Sequence, residues 1–130
     1  MNIVFDPVFD EVELAGSAAE LARLVAAVAG GKEFVAADPV AAPDGESLAG
    51  VEIEGAPGPG VLIGLDSRRR MLVVSGDPVA RTRFADQLAA MTAAMAVEAG
   101  GGHRHIDYCP GHPYLVEGSV RLVVGMPGVG

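Results

Sequence analysis

Residues 61–74 read VLIGLDSRRRMLVV, and this stretch decides the fold class. It contains two aliphatic, β-rich runs, Val61 to Leu65 and Met71 to Val74, which flank the polar segment Asp66 to Arg70. A polar segment of this length between two such runs is typical of a hairpin loop. The stretch therefore predicts two paired strands, and we expect the chain to build an antiparallel sheet.

Two helices are predicted, one on each side of this hairpin. Ser17 to Glu20 has the capping-box pattern, so a helix begins at Ser17, and it ends near the paired glycines at 30–31. Asp77-Pro78 predicts the second start, because Asp caps the first free amides and Pro has no amide to leave unpaired. Apolar residues at helical spacing carry this second helix to about Ala99; they are Phe84, Leu88, Met91 and Met95.

Other short extended runs predict strands at 2–5, 8–14, 33–36, 51–54, 103–108 and 120–124. Residues 38–50 are rich in Pro, Gly, Asp and Ala without a period, which predicts a surface loop. This order of elements predicts an α+β fold in a single domain over residues 1–125, a mainly antiparallel sheet with two helices packed on one face. Residues 126–130 are expected to be a C-terminal tail.

Composition limits the classes of partner. The 130 residues are 50% hydrophobic and 20% charged, which suffices for a compact core. The net charge of -8 argues against nucleic acid and would favour a basic protein partner, although acidity can also serve solubility alone. No apolar run approaches the roughly 20 residues needed to cross a bilayer, so no membrane partner is expected. A lone cysteine and an N-terminus without a signal-peptide pattern make the cytoplasm the expected location.

Residues 103–115 gather all three histidines, both tyrosines and the single cysteine. On a strand, His103, His105 and Asp107 point to one side, and two imidazoles with a carboxylate match a metal site to which His112 would add a fourth ligand. The same alternation is typical of a strand with one solvent-facing side, and we prefer this interpretation.

Catalytic chemistry is not indicated elsewhere. Cys109 would become a nucleophile beside His105 or His112, but it precedes Pro110 in a turn, and free cysteines usually behave as small hydrophobic residues. The run Arg68 to Arg70 would bind a phosphate or a carboxylate, or remain solvated in its loop. No serine, acid pair or lysine has a spacing that implies a reaction, and no cofactor is expected.

The C-terminal pattern resembles a family of bacterial proteins assigned as polymorphic-toxin immunity proteins, the thirty-second such family. The pattern runs from His103-x-His105-Ile106-Asp107-Tyr108 through residues 110–115, PGHPYL, to residues 118–124, GSVRLVV. The resemblance implies an α+β protein, common in actinobacteria, that protects its cell by binding a toxin and blocking it. It supplies no catalytic residues.

Three hypotheses follow for function. The first is a non-enzymatic immunity or interaction protein that binds a protein partner, such as a basic toxin, through a surface including Tyr108, His112 and Tyr114, since these side chains combine apolar area with hydrogen-bonding groups. The two tyrosines are equally suited to positions in the core. The alternative is a metal-binding protein or small metal-dependent hydrolase that uses the His103, His105 and Asp107 cluster. A third is a homodimer formed through an exposed sheet edge or the Ala-rich face of the second helix.

Overall fold

The structure is a computed structural model that describes residues 1–31, 33–98 and 101–127. These residues form nine strands and two helices, which confirms the predicted α+β class. In chain order they are β1 Asn2–Asp6, β2 Glu11–Ala15, α1 Ala18–Gly30, β3 Glu33–Ala36, β4 Glu46–Ser47, β5 Gly50–Gly55, β6 Val61–Asp66, β7 Met71–Gly76, α2 Pro78–Ala96, β8 Gly101–Ile106 and β9 Arg121–Pro127. Neither of these helices has the length and apolarity to cross a bilayer.

The strands form two sheets, where the sequence predicted one. A five-stranded sheet has the order β4-β1-β2-β9-β8, and a four-stranded sheet has the order β3-β5-β7-β6. Most pairs are antiparallel, including the predicted β6–β7 hairpin, but β2–β9 and β5–β7 are parallel. The prediction of a single sheet was wrong because alternation along a strand fixes which face is buried and leaves the neighbouring strand undetermined.

Both sheets and both helices contribute to one hydrophobic core, and α1 and α2 also pack against each other. The alternation expected of one-faced sheets is present: Val12 and Leu14 of β2 are buried, whereas Glu13 between them is exposed. The main core side chains are Ile3, Val12, Leu14, Leu21, Leu24, Val28, Val51, Ile53, Val61, Ile63, Leu72, Val74, Phe84, Leu88, Met95, Ile106, Leu122 and Val124.

Both predicted helix starts are confirmed. The Ser17 hydroxyl accepts the Glu20 amide at 3.2 Å, and the Glu20 carboxylate accepts the Ser17 amide at 3.0 Å, so the capping box is complete. The Asp77 carboxylate accepts the first amides of α2, from Val79 at 3.2 Å and Ala80 at 3.4 Å. Each cap satisfies amides that lack a partner within the helix.

Several boundaries differ from those predicted. The short strand β4 lies within the predicted loop 38–50, where it pairs with β1. The second helix ends at Ala96 before the predicted Ala99, which lies outside the described residues, and β8 covers 101–106 instead of 103–108. Strand β9 includes residues 126 and 127, which were assigned to the tail, because they pair with Gly102 and Gly101 of β8. Residues 128–130 lie outside the described part of the chain.

Arg81 of α2 is buried, with 6% of its surface exposed. Its Nη1 donates to the carbonyl oxygens of Val28 at 3.0 Å and Ala29 at 3.3 Å, and its Nε donates to the carbonyl oxygen of Gly76 at 3.0 Å. The last carbonyls of a helix have no partner within it, and a cation is favoured at that end. Arg81 therefore caps the C-terminus of α1 from the neighbouring helix.

Candidate protein-interaction surface

Residues 107–120 connect β8 to β9 and close over the outer edge of β6. The amide of Val61 donates to the Tyr114 carbonyl at 2.7 Å, and the amide of Val116 returns to the Val61 carbonyl at 2.9 Å. Further along, the amide of Val120 donates to the Ile63 carbonyl at 2.9 Å. Because β6 and β8 belong to different sheets, this segment joins the sheets and covers a strand edge that would otherwise be open to pairing.

Tyr114 is part of the core, with 5% of its surface exposed, which is the alternative that the sequence left open for the tyrosines. Its ring stacks on Phe84 of α2 at a centroid distance of 5.5 Å, and its hydroxyl donates to Oε1 of Gln87. Burial raises the pKa of the Tyr114 phenol. Tyr114 therefore attaches the segment to α2, with its polar end satisfied inside the protein.

His112 is half-buried and supports the same segment from inside the turn. Its Nδ1 accepts hydrogen bonds from the amides of Tyr114 at 3.2 Å and Leu115 at 2.9 Å. The His112 and Tyr114 rings pack edge to face, with their centroids 4.6 Å apart. An accepting Nδ1 carries no proton, so the neutral imidazole is the form that fits. Burial lowers the His112 pKa, in agreement with this geometry. We assign His112 a structural role on these contacts.

Tyr108 has a different setting, because it is half-buried and lines an open depression of about 620 Å³. The β1–β2 turn forms the other side of this depression, where Val8 is 78% exposed and Phe9 is 63% exposed. The Asp6 carboxylate accepts the amides of both residues, at 2.9 and 3.4 Å, which holds the turn in shape. Phe9 was predicted to lie in a strand over residues 8–14, but β2 begins at Glu11, so Phe9 lies in the exposed turn before it.

The outer face of the five-stranded sheet carries an open groove of about 830 Å³. Its floor consists of small side chains on β2 and β9, namely Ala15, Val123 and Gly125. Strand register sets its width: Glu13 pairs with Val123, which pairs with His105 on β8. An acidic rim therefore lies on one side of a shallow apolar floor and an imidazole rim on the other.

Acidic side chains are concentrated on this side of the molecule. Eight of the chain's 17 acidic residues line the groove, the Tyr108 depression or a third depression beside β1: Asp6, Asp10, Glu11, Glu13, Glu20, Asp38, Asp44 and Asp107. Among the described residues lining these three sites, Arg121 is the sole arginine or lysine. We call this surface, with the β1–β2 turn, the acidic face.

Two of these carboxylates are compensated. The amino group of Met1 pairs with Glu20 and, at 3.0 Å, with Asp38. That pairing, followed by the Ser17 amide, lowers the pKa of Glu20 to about 2. The other six carboxylates of the acidic face form no ion pair with any described residue. Their charge is therefore available to a partner.

The proposed metal ligands are only partly brought together. His103 and His105 lie on the same side of β8 with ring centroids 5.6 Å apart, edge to face. Asp107 follows the end of the strand and lines the Tyr108 depression. Within 1–31, 33–98 and 101–127, no group of three or more His, Cys, Asp or Glu side chains is arranged to hold a metal ion. His112, the suggested fourth ligand, uses its Nδ1 for backbone amides.

Arg69, in the middle of the arginine run, and Cys109 have different surroundings in the structure. Arg69 is held by Glu52 at 2.8 Å and by Asp66 at 2.7 Å, and these contacts lower the pKa of both carboxyl groups. Its guanidinium is therefore occupied within the four-stranded sheet instead of presented to a phosphate. Cys109 is a free, exposed thiol.

Comparison with known proteins identified one family among those tested. The sequence model of the immunity protein 32 family matches residues 72–127, which confirms the resemblance inferred from the C-terminal pattern. The matched region runs from β7 through α2 and β8 to the end of β9, and includes the segment 107–120 that closes over β6. No curated protein and no solved structure matched the chain.

Proposed function

We propose that this chain, whose residues 72–127 match the immunity protein 32 family, is a non-enzymatic immunity protein that binds a bacterial toxin in the cytoplasm and neutralises it. The family match is the observation that carries the proposal. Blocking by binding requires a rigid surface and no reacting groups. The completed caps, the buried guanidinium of Arg81 and the closed β6 edge are what such a rigid domain needs.

We further propose that the toxin is basic. The net charge of -8 and the concentration of unpaired carboxylates on the acidic face would attract a cationic protein and repel nucleic acid. Electrostatic attraction of this kind mainly raises the association rate, which matters for an inhibitor that must reach a toxin before its substrate does. A basic active site covered by this domain would lose access to its substrate.

The test is protection of growing bacteria. Candidate toxin domains from the genome that encodes this chain are expressed one at a time with and without the chain, and each purified pair is mixed and examined by size-exclusion chromatography with light scattering. We expect growth to be restored and an equimolar complex to elute. Continued growth arrest together with separate elution would overturn the proposed function. The same run reports the size of the free chain, which tests the homodimer hypothesis.

The metal hypothesis is tested separately by elemental analysis of untagged protein and of a His103→Ala/His105→Ala variant. We expect less than stoichiometric metal in both, because two imidazoles without a third ligand hold a transition metal weakly. Near-stoichiometric metal in the wild type that disappears in the variant would support the alternative and start a search for hydrolase activity.

A further inference from the structure

We infer that the toxin docks on the acidic face, with its lysine and arginine side chains against the sheet and an apolar pocket over Phe9. This inference rests on the proposed function and adds the surface and the chemistry of the partner. It differs from the sequence-based expectation, since Tyr114 and His112 are occupied inside the protein and Tyr108 alone of that set lines the face.

The sheet face is open and shaped for contact. The core lies on the opposite side of β2 and β9, where Val12, Leu14, Leu122 and Val124 are buried. On the open side, Ala15 and Gly125 present little side chain, so a partner's extended side chains can lie close to the sheet. The groove along this face is open to solvent at the described residues that line it.

Charge selects the occupant. Glu13 lines both the groove and the depression beside β1, where Asp44 is exposed, and neither forms an ion pair with a described residue. A partner's basic side chains placed between these two carboxylates would be close enough to both for favourable electrostatic attraction. A second copy of this chain would bring the same acidic surfaces together, which costs free energy instead of gaining it.

The β1–β2 turn supplies the apolar anchor. Phe9 and Val8 are exposed at a turn that the Asp6 carboxylate fixes through two amide hydrogen bonds, and Asp10 completes the turn with φ +50°. A large apolar side chain on a fixed turn loses little conformational entropy when a partner covers it. Such residues dominate interface energetics when they enter a pocket surrounded by polar contacts. Tyr108, across the depression, extends this apolar contact.

The experiment measures the dissociation constant with the purified toxin domain that the chain neutralises in the growth test as the probe. Glu13→Lys/Asp44→Lys reverses two charges on the acidic face, and Glu54→Lys/Asp86→Lys makes the same charge change at exposed residues elsewhere. We expect the first variant to weaken binding at least about 100-fold at low salt, and the control to change it by about 3-fold or less, as contact charges outweigh distant ones.

A second pair of variants tests the anchor. Phe9→Ala is expected to weaken binding at least about 10-fold. The control, Phe34→Ala, removes another exposed aromatic residue, 53% exposed against 63% for Phe9, from β3, outside the acidic face, and is expected to leave binding unchanged. Circular dichroism and urea unfolding verify that each variant is folded before its affinity is compared with that of the wild type.

The outcomes separate this inference from the proposed function. Wild-type protein that binds and protects, with face variants that bind equally well, overturns the docking surface and leaves the immunity function standing. Wild-type protein that neither binds nor protects overturns both. A free chain that dimerises, and becomes monomeric on Glu13→Lys/Asp44→Lys, assigns the face to a second copy and also overturns the inference.

Discussion

Arg81 shows how a single side chain can join elements that are distant in sequence. Its guanidinium donates to the last turn of α1 and to the end of β7, although it is itself in the first turn of α2. On the sequence Arg81 lies at i−3 from Phe84, on the same side of α2 as the apolar stripe. The pattern could not reveal its role, because the carbonyls that attract Arg81 belong to another helix, and their placement follows only from the packing of α1 against α2.

Replacing Arg81 tests this role. Arg81→Met keeps an unbranched apolar stem but removes the donors to the carbonyls of Val28, Ala29 and Gly76, of which Gly76 keeps the amide of Ala56. We expect the free energy of unfolding to fall by about 2–4 kcal/mol, because hydrogen bonds to a charged group and the desolvation of buried carbonyls are both involved. Urea unfolding measures the change, with the exposed Arg23→Met on α1 as the control. A loss below about 0.5 kcal/mol, the usual range for surface substitutions, would contradict the capping role.

At the scale of elements, the segment 107–120 is the part that sequence reasoning understood least. Its histidines were predicted to face solvent, with a metal site as the alternative, and its tyrosines to form a contact surface or to enter the core. In the structure, Tyr114 and His112 hold the segment across β6 and against α2. Local patterns predicted the helix caps and the β6–β7 hairpin because those depend on neighbours in sequence. Pairing of β2 with β9 brings together residues that are about 110 positions apart in the chain, such as Glu11 and Arg121, and no local pattern encodes it.

The His112 contacts make the stability of this element depend on pH. Protonation at Nδ1 would remove the acceptor of two amides, so the folded state favours neutral His112, whose pKa is lowered. The unfolded chain takes up the proton more readily than the folded protein. His112 therefore makes its full contribution to the free energy of unfolding above the ordinary histidine pKa of 6.5, and this contribution falls as the pH drops below that value. Urea unfolding across this range is expected to show that decline.

His112→Asn separates titration from hydrogen bonding. The asparagine oxygen can accept an amide but does not titrate in this range, so the variant is expected to lose the part of the pH dependence that His112 causes. His112→Ala should be less stable at neutral pH by about 1–2 kcal/mol, because buried amides lose their acceptor. The matched control, His103→Asn/His105→Asn, alters exposed imidazoles and is expected to retain the His112 part of the decline. An unchanged decline in His112→Asn would refute the assignment.

For the whole molecule, the sequence predicts the net charge but not where the charged side chains lie on the surface. The net charge of -8 is read directly from the sequence. Its concentration on one side follows from the alternation of β2, which turns Glu11 and Glu13 outward together, and from the loop that carries Asp44 to the same side. The parallel pairing of β2 with β9 then sets these acids beside the small residues of the groove floor. The position of these charges thus follows from tertiary pairing, which no local sequence pattern encodes.

This concentration of like charge should reduce the stability of the free protein at low salt. Repulsion among the acidic side chains is screened as the Debye length falls from about 10 Å in about 0.1 M salt to about 3 Å in about 1 M salt. Using NaCl, which adds little beyond screening, we expect the free energy of unfolding to rise over this range. Glu13→Gln/Asp44→Asn should be more stable than the wild type at low salt by about 0.5–1 kcal/mol, and this advantage should shrink at high salt. The control, Glu54→Gln/Asp86→Asn, removes the same charge from other parts of the surface and should gain less. Equal gains in the two variants would mean that only the net charge matters. Electrostatic repulsion would then be no greater on the acidic face than elsewhere on the surface, and a basic partner would have no local repulsion to relieve there.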